Sequence, residues 1–269
     1  MIYFRYFLIL IYLTSLRQVN AANITGSNTI NSDSSTQQVY NADDTSLTIT
    51  DSSTLSRSGA APVNINGKDN GTLTINSGST VTSTASNAVQ GKDQSGLIIT
   101  NSGTINADGS KAINLLNAQS STVTNNSGGV IKSNTNTITV TENSGTANNV
   151  TINNSGQISA GASSSGATSN NAIRSEDDTD NVTVVNNVGG HIHNNNTSST
   201  ALNASTVFIA ANSSATLTNS GTIENKGGVD NYAIGLAGDG VTVTLKDDGK
   251  VIGKISVAGG STTAHTIKL

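Results

Sequence analysis

Residues 97–105 read LIITNSGTI and residues 215–223 read ATLTNSGTI. Related phrases recur along the chain and align on a small residue near the centre of each one. The eight central residues are Ser53, Ser79, Gly103, Gly129, Gly156, Gly190, Gly221 and Gly249, with spacings of 24 to 34 residues. A period in this range is typical of repeat architectures.

Aliphatic residues hold fixed places around these centres. The residue two places after the centre is always aliphatic: Leu55, Val81, Ile105, Ile131, Ile158, Ile192, Ile223 and Val251. The residues six and four places before it are Leu47/Ile49, Leu73/Ile75, Leu97/Ile99, Val123/Asn125, Val150/Ile152, Val184/Asn186, Ala215/Leu217 and Val243/Leu245. In an extended chain, residues two apart share one face. Each unit therefore predicts a short strand with an inner and an outer side.

Turn chemistry and a third apolar position complete each unit. We interpret Asn-Ser-Gly as a turn, because Gly accepts positive φ and Asn tolerates left-handed geometry. The third position recurs as Ala88-Val89, Ala112-Ile113, Ala172-Ile173, Ala201-Leu202 and Ala233-Ile234. Three short strands joined by bends predict a triangular coil. Asn125 and Asn186 stand at otherwise aliphatic positions. Either their side chains stack as a ladder inside the core, or the alignment of the repeats slips in these units, and a slip is favoured for Asn186.

Composition supports a thin, repetitive core. The 269-residue chain has no Cys or Trp, is 11% charged and carries a net charge of −4. Disordered chains usually combine low hydrophobicity with high net charge, which this chain lacks. Helical repeats are disfavoured because Thr, Asn, Ser and Gly dominate every unit. The absence of Cys fits an exported solenoid that is stabilised by ladders of stacked side chains rather than by disulfides.

The N-terminus predicts a signal peptide over residues 1–21. Arg5 precedes the apolar run FLILIYLTSL (7–16), and small residues surround a cleavage site after Ala21. The alternative, an uncleaved anchor, has an apolar run shorter than the ~20 residues of a spanning helix. We expect residues 22–39 to form a leader or cap and residues 40–269 to form the β-helix.

The TNSGTI phrase and the tail GDGVTVTL (238–245) carry a family resemblance. Over residues 40–269 the chain resembles the passenger region of bacterial autotransporters. The resemblance implies an all-β, right-handed parallel β-helix of about eight coils. It also implies passage through a Gram-negative outer membrane and a role as an adhesin or displayed shaft. Such proteins end in a β-barrel translocator, whereas this chain ends at residues 265–269, so the translocator is expected to be separate or missing.

Candidate metal sites are sparse. Glu176, Asp177, Asp178 and Asp180 are oxygen ligands for a hard cation, but a solvated acidic loop is the favoured interpretation. Residues 238–240 (GDG) are better explained as a tight turn than as a calcium repeat. His191 and His193 flank the core residue Ile192, so both are expected to point into water. His265 shows no evident partner.

No catalytic, cofactor or metal residue is therefore assigned. A Ser/His/Asp triad is disfavoured because the Ser of Asn-Ser-Gly is explained by the turn and no G-x-S-x-G elbow occurs. The main rival is a pectin-lyase-like enzyme acting on polysaccharide, which needs paired carboxylates and sugar-stacking aromatics. After removal of the signal peptide only Tyr40, Phe208 and Tyr232 remain as aromatics. A vestigial, truncated fragment is the other alternative.

Partner predictions follow from charge and from the longest insertions. A pI of about 5.2 and the lack of a basic stripe disfavour nucleic acid. The triplets at Asn70 and Asn181 would accept glycans only in a eukaryotic secretory pathway. The longest departures from the repeat are residues 159–171, 174–181 and 194–200, where a host-surface protein or glycan would be recognised, with flexible ornament as the alternative.

Overall fold

The computed structural model describes residues 21–142, 149–161, 170–176, 179, 181–196, 202–210, 214–246, 248–258 and 263–269. These residues form short strands and one 3-10 turn, Leu202–Ala204. In chain order the strands are β1 Ala21–Ile24, β2 Ser27–Ile30, β3 Gln37–Tyr40, β4 Ser46–Ile49, β5 Thr54–Arg57, β6 Val63–Asn66, β7 Thr72–Ile75, β8 Thr80–Ser83, β9 Val89–Lys92, β10 Ile98–Asn101, β11 Thr104–Ala107, β12 Ile113–Leu116, β13 Thr122–Asn125, β14 Val130–Ser133, β15 Ile138–Thr141, β16 Thr151–Asn154, β17 Gln157–Ala160, β18 Ile173–Ser175, β19 Thr183–Asn186, β20 His191–Asn194, β21 Val207–Ile209, β22 Thr216–Asn219, β23 Thr222–Asn225, β24 Tyr232–Leu236, β25 Thr242–Leu245, β26 Lys250–Ile252, β27 Lys254–Val257 and β28 Thr266–Lys268.

The strands pair in three parallel sheets that the chain visits in turn. Sheet A runs β1-β3-β6-β9-β12-β15-β18-β21-β24-β27, and sheet B runs β2-β4-β7-β10-β13-β16-β19-β22-β25-β28. Sheet C runs β5-β8-β11-β14-β17-β20-β23-β26. One passage through A, B and C makes one coil, and each strand pairs with its counterparts in the coils above and below. The prediction of a right-handed parallel β-helix is confirmed.

The eight predicted units correspond to coils 2 to 9. Coil 1 consists of β1, β2 and an isolated bridge from Ser34 to Leu55, and β27 and β28 begin a tenth coil. The stretch 22–39, predicted as a leader or cap, supplies coil 1 and most of β3. The predicted signal peptide lies outside the described residues, apart from Ala21 in β1.

One hydrophobic core runs through the described coils. It is a single cluster of buried aliphatic side chains that extends from Ile24 to Val243. Tyr40 is buried near the N-terminal end of this cluster, and its hydroxyl donates a hydrogen bond to the carbonyl of Thr72 at 2.7 Å. Burial raises the pKa of that phenol. The core consists mainly of Ile, Leu, Val and Ala, in agreement with the thin, repetitive core that the composition predicts.

The third apolar position of each coil lies in sheet A. Four of the five predicted pairs are buried as expected: Ala88-Val89, Ala112-Ile113, Ala172-Ile173 and Ala233-Ile234. The fifth prediction, Ala201-Leu202, is wrong. Leu202 opens the 3-10 turn, and Val207 pairs with Ile173 and Ile234 in its place. The prediction failed because the insertion before β21 moves the sheet A strand of this coil further along the sequence.

The turn from sheet B to sheet C has two lengths. Coils 4, 6 and 8 use two residues, such as Ser102-Gly103 between β10 and β11. The other complete turns use four residues, such as 126–129 between β13 and β14. Alignment on the central residue therefore misplaces sheet B by two residues in the coils with short turns. In the observed register Ile99 pairs with Leu73, and Asn101 pairs with Ile75.

This register creates a buried asparagine ladder, which comprises Asn101, Asn125, Asn154, Asn186 and Asn219. Each of the first four side-chain amides donates to the amide oxygen of the next Asn at 2.8 Å. The predicted slip at Asn186 is wrong, because this residue lies inside the ladder. The assignment of the Asn of Asn-Ser-Gly to a turn is wrong for Asn101, Asn154 and Asn219, which lie in strands, and is confirmed for Asn76 and Asn126, which lie in four-residue turns.

The central glycines are needed for close backbone approach rather than for positive φ. A Cβ on Gly156 would lie 2.3 Å from the carbonyl oxygen of Gly129 and 2.5 Å from that of Asn126. Gly103 and Gly221 meet equivalent oxygens. Positive φ occurs instead one residue before the centre of long turns, as at Gly128 with φ of 81°.

Candidate functional site

The outer side of sheet B carries two straight columns of small polar residues. The first column is Ser27, Ser46, Thr72, Ile98, Thr122, Thr151, Thr183, Thr216, Thr242 and Thr266. The second is Thr29, Thr48, Thr74, Thr100, Thr124, Asn153, Val185, Thr218, Thr244 and Lys268. We call these twenty positions the threonine face. Fourteen of them are Thr, and Lys268 at the end is the sole charged residue among them.

The local fold explains this face. Strands in sheet B alternate inner aliphatic or Asn residues with outer Thr, and β-branched side chains suit this pleated surface. Most of the columns are half-exposed, because each side chain packs on its neighbours in adjacent coils. The hydroxyl of Thr216 donates to that of Thr183 at 3.3 Å. The sequence had identified the outward Thr positions, but not their alignment into columns.

Sheet C presents a mixed outer face that contains the two predicted histidines. His191 and His193 lie on β20 with ring centroids 4.6 Å apart, and Ile192 between them points into the core. His191 Nε2 lies 2.9 Å from Glu224 Oε2, and Gln157 Nε2 lies 2.8 Å from His193 Nε2. The prediction that both histidines point into water is wrong for His193, which is 3% exposed.

His193 is held neutral. Burial, followed by the positive charge of Lys226 and the neighbouring His191, lowers its pKa to about 4, and a hydrogen bond with the Asn195 side chain opposes part of this shift. An amide N–H of Gln157 donates to Nε2, which places the ring proton on Nδ1. That nitrogen is buried. The ring is therefore a structural element of sheet C.

Sheet A bears the longest insertions along its two borders in coils 6 to 8. They follow β15, β17, β18, β20 and β21, so each lies directly before or after a sheet A strand. These insertions flank outward residues of sheet A that are largely buried, with Thr139 at 1% and Phe208 at 5% exposed.

Arg174 lies 4.8 Å over the ring of Phe208 and donates to both carboxylate oxygens of Glu176, at 2.6 and 3.0 Å.

The other predicted candidates have structural roles where the structure describes them. Glu176 is engaged by Arg174, while Asp177, Asp178 and Asp180 lie outside the described residues. Residues 238–240 form a bend, with φ of 62° at Gly240. His265 has a partner that the sequence did not reveal, since its Nδ1 accepts the N–H of Val241 at 3.3 Å.

The remaining insertion residues with described positions anchor the solenoid. Asn171 donates to the carbonyls of Asn203 and Ser205, and Asn194 donates to the carbonyl of Ala204. Asn70 and Asn181, which begin the two Asn-x-Thr triplets, have φ of 55° and 51° at the corner before sheet B. The central parts of the three predicted recognition loops lie outside the described residues.

Three further findings are negative. Across the described positions, no three or more His, Cys, Asp or Glu side chains gather in a way that could hold a metal ion. Nor do those positions include a helix long and apolar enough to cross a membrane. Comparison of the chain with protein-family models, with curated proteins and with solved structures gave no match.

Proposed function

We propose that this chain is an exported passenger of a Gram-negative bacterium, displayed on the cell surface or secreted, that acts as an adhesin or display shaft. The supporting observation is the uninterrupted stack, in which one core continues from Ile24 to Val243. Each coil extends the stack by ~4.8 Å along the axis. Such a shaft carries a binding surface away from its point of attachment.

The mode of assembly also suits export. In a solenoid each coil contacts its neighbours alone, so folding propagates from coil to coil. The core of each described coil is completed by aliphatic and Asn ladders that require no disulfide, and the chain has no Cys. A chain that emerges progressively from an outer-membrane translocator adds its coils one at a time, and this mode of assembly supports the proposal of export.

The borders of sheet A are the proposed adhesive side. Five insertions meet there in three successive coils, while the described turns between sheets B and C keep to two or four residues. Solenoid insertions on one side commonly carry recognition. The proposed ligand is a host-surface protein or glycan, and no enzymatic step is proposed.

Protease shaving of intact cells tests this proposal. The chain carries an epitope tag at Ser164, within the insertion between Gly161 and Asn170, and a periplasmic protein serves as the lysis control. We expect protease to remove the tag while the control protein stays intact. A tag that is cleaved only after lysis contradicts display, and a tagged chain found in the medium identifies the secreted form.

A reducing-end assay separates the enzyme alternative. The purified chain is incubated with pectin and related polysaccharides, and we expect no release of reducing ends above a heat-denatured sample. Release that depends on the folded chain would contradict the non-enzymatic proposal.

Deletion of residues 162–169 tests the adhesive side. This deletion should reduce binding to host cells without loss of surface display.

A further inference from the structure

The threonine face forms a two-dimensional lattice. Neighbouring coils repeat their Thr positions every ~4.8 Å, and the two columns lie roughly 6.7 Å apart because they belong to residues i and i+2 of one strand. The register of sheet B continues from β2 to β28 without a bulge, whereas sheet A shifts register between Tyr232 and Ile234. Sheet B therefore presents ten strands in unbroken register, whereas sheet C keeps its register over eight strands.

The chemistry of the face is equally uniform. Thr offers one methyl and one hydroxyl at each lattice point, and its branched Cβ restricts χ1, so the array loses little side-chain entropy on binding. The body of the face carries no charge. In sheet C, by contrast, Lys132, His191 and Glu224 interrupt the equivalent columns.

Such an array discriminates ordered water from liquid water. One hydroxyl gains little from exchanging one water partner for another. A rigid set of hydroxyls and methyls adds many weak contacts at once, provided that the partner has the same repeat. Liquid water has no fixed repeat, and a single extended protein or glycan chain repeats along one direction only.

Hexagonal ice has such a lattice. On a prism face its oxygen atoms repeat in a rectangle whose short side nearly equals the coil spacing and whose long side slightly exceeds the column spacing. We infer that the threonine face binds the surface of ice crystals. The bound species is a plane of ordered water, whose contacts with the hydroxyls and methyls are shared over many coils. This inference concerns the folded chain alone and does not depend on export.

Local interruptions indicate where the face is strongest. Ile98, Asn153 and Val185 replace Thr in coils 4, 6 and 7. Both columns hold Thr in coils 3, 5, 8 and 9, as at Thr122/Thr124 and Thr216/Thr218. Thr124 and Thr218 are thus the positions at which a bulky charge should disturb the lattice most.

Ice-crystal shaping and thermal hysteresis of the purified chain test the inference. We expect the wild-type chain to facet growing ice crystals and to depress their growth temperature below the melting temperature. The double variant Thr124→Lys/Thr218→Lys should lose most of this hysteresis, at least several-fold. The matched control Thr82→Lys/Thr222→Lys makes the same change on sheet C and should retain it. Far-ultraviolet circular dichroism melts verify that all three proteins are folded.

Each other outcome overturns the inference. A folded wild-type chain that leaves ice discs unshaped does not bind ice. Retained hysteresis in the sheet B variant, or equal loss in the sheet C control, would place any ice binding elsewhere. Binding of the wild-type chain to an arrayed glycan that the sheet B variant abolishes, without ice shaping, would identify the face as a glycan site.

Discussion

Two inner columns of sheet B run side by side with different chemistry. In coils 2 to 9 one column is entirely aliphatic: Leu47, Leu73, Ile99, Val123, Ile152, Val184, Leu217 and Val243. The other begins with Ile30, Ile49 and Ile75, continues as the asparagine ladder and returns to Leu245. Both columns are buried over most of their length. The comparison shows that this core accepts amides where they are stacked without a break.

Hydrogen bonds explain why the ladder is tolerated. Asn125 donates to the amide oxygen of Asn154 and also to the carbonyls of Gly129 and Gln157, at 2.8 to 3.2 Å. Buried amides cost free energy when unpaired and little when fully paired. The ladder begins with one unpaired atom, the oxygen of Asn101, because Ile75 in the preceding coil offers no donor.

Moving an amide into the aliphatic column should have the largest effect. Ile152→Asn removes a fully buried side chain and leaves an amide between Val123 and Val184. We expect a loss on the order of 5 kcal/mol in the free energy of unfolding, measured by urea denaturation. The neighbouring outer change Asn153→Ala is the control and should shift stability by less than about 0.5 kcal/mol. Equal effects would contradict the inner and outer assignment.

The reverse exchange should depend on place in the ladder. Asn154→Ile deprives Asn125 of an acceptor and leaves the buried oxygen of Asn186 without a donor, so we expect a loss of about 3 kcal/mol. Asn101→Ile removes one unpaired oxygen and creates another at Asn125, so its cost should be about half as large. Urea midpoints of the two variants measure the difference. Identical losses would show that the ladder is not coupled from coil to coil.

The central glycines allow the coils with short turns to approach their neighbours. Gly156→Ala places a methyl against the carbonyl oxygens of Gly129 and Asn126, so we expect a loss of about 2 kcal/mol. Gly59→Ala is the matched control, since a Cβ there meets no atom within 4 Å and φ is not positive. Thermal melts of both variants measure the effect. A silent Gly156→Ala would show that the turn relaxes without cost.

The sequence predicted the strand pattern well because inner positions in this fold are aliphatic and recur every coil. Leu55, Ile105 and Ile158 are buried as expected. The sequence could not reveal the two turn lengths, because Asn-Ser-Gly occurs both with its Asn inside the core, as at Asn101, and with its Asn in a longer turn, as at Asn126. Its Gly closely approaches neighbouring backbone in the first case and has positive φ in the second, as at Gly128, so alignment on a small residue concealed the register.

Functional surfaces were harder to predict for a related reason. Outward Thr residues follow from strand alternation in any single unit, whereas the threonine face exists through alignment of ten coils in register. The hydrogen bond of His193 to Gln157 and the effect of Lys226 on its pKa come from neighbouring coils, 36 and 33 residues away in the chain. Such contacts between coils leave no local pattern in one sequence.

Gln94 presents the opposite case to the ladder, a buried amide that is not stacked. Its side chain is 2% exposed, fills the space beside Gly91 and leaves both amide atoms without a hydrogen-bond partner. Ala118 occupies the equivalent position of the next coil, so no second amide is available to pair with it. An amide in this position is expected to weaken the core.

Gln94→Met should therefore stabilise the chain. Methionine has a similar length and flexibility, so it can fill the space beside Gly91 and Leu97 while removing two unpaired polar atoms. We expect a gain of about 1 kcal/mol in the free energy of unfolding, with Gln119→Met on the surface as a neutral control. A destabilised Gln94→Met variant would mean that the amide is paired through buried water in solution. The conclusion from the two inner columns of sheet B, that this core accepts stacked amides, would then say nothing about an isolated buried amide.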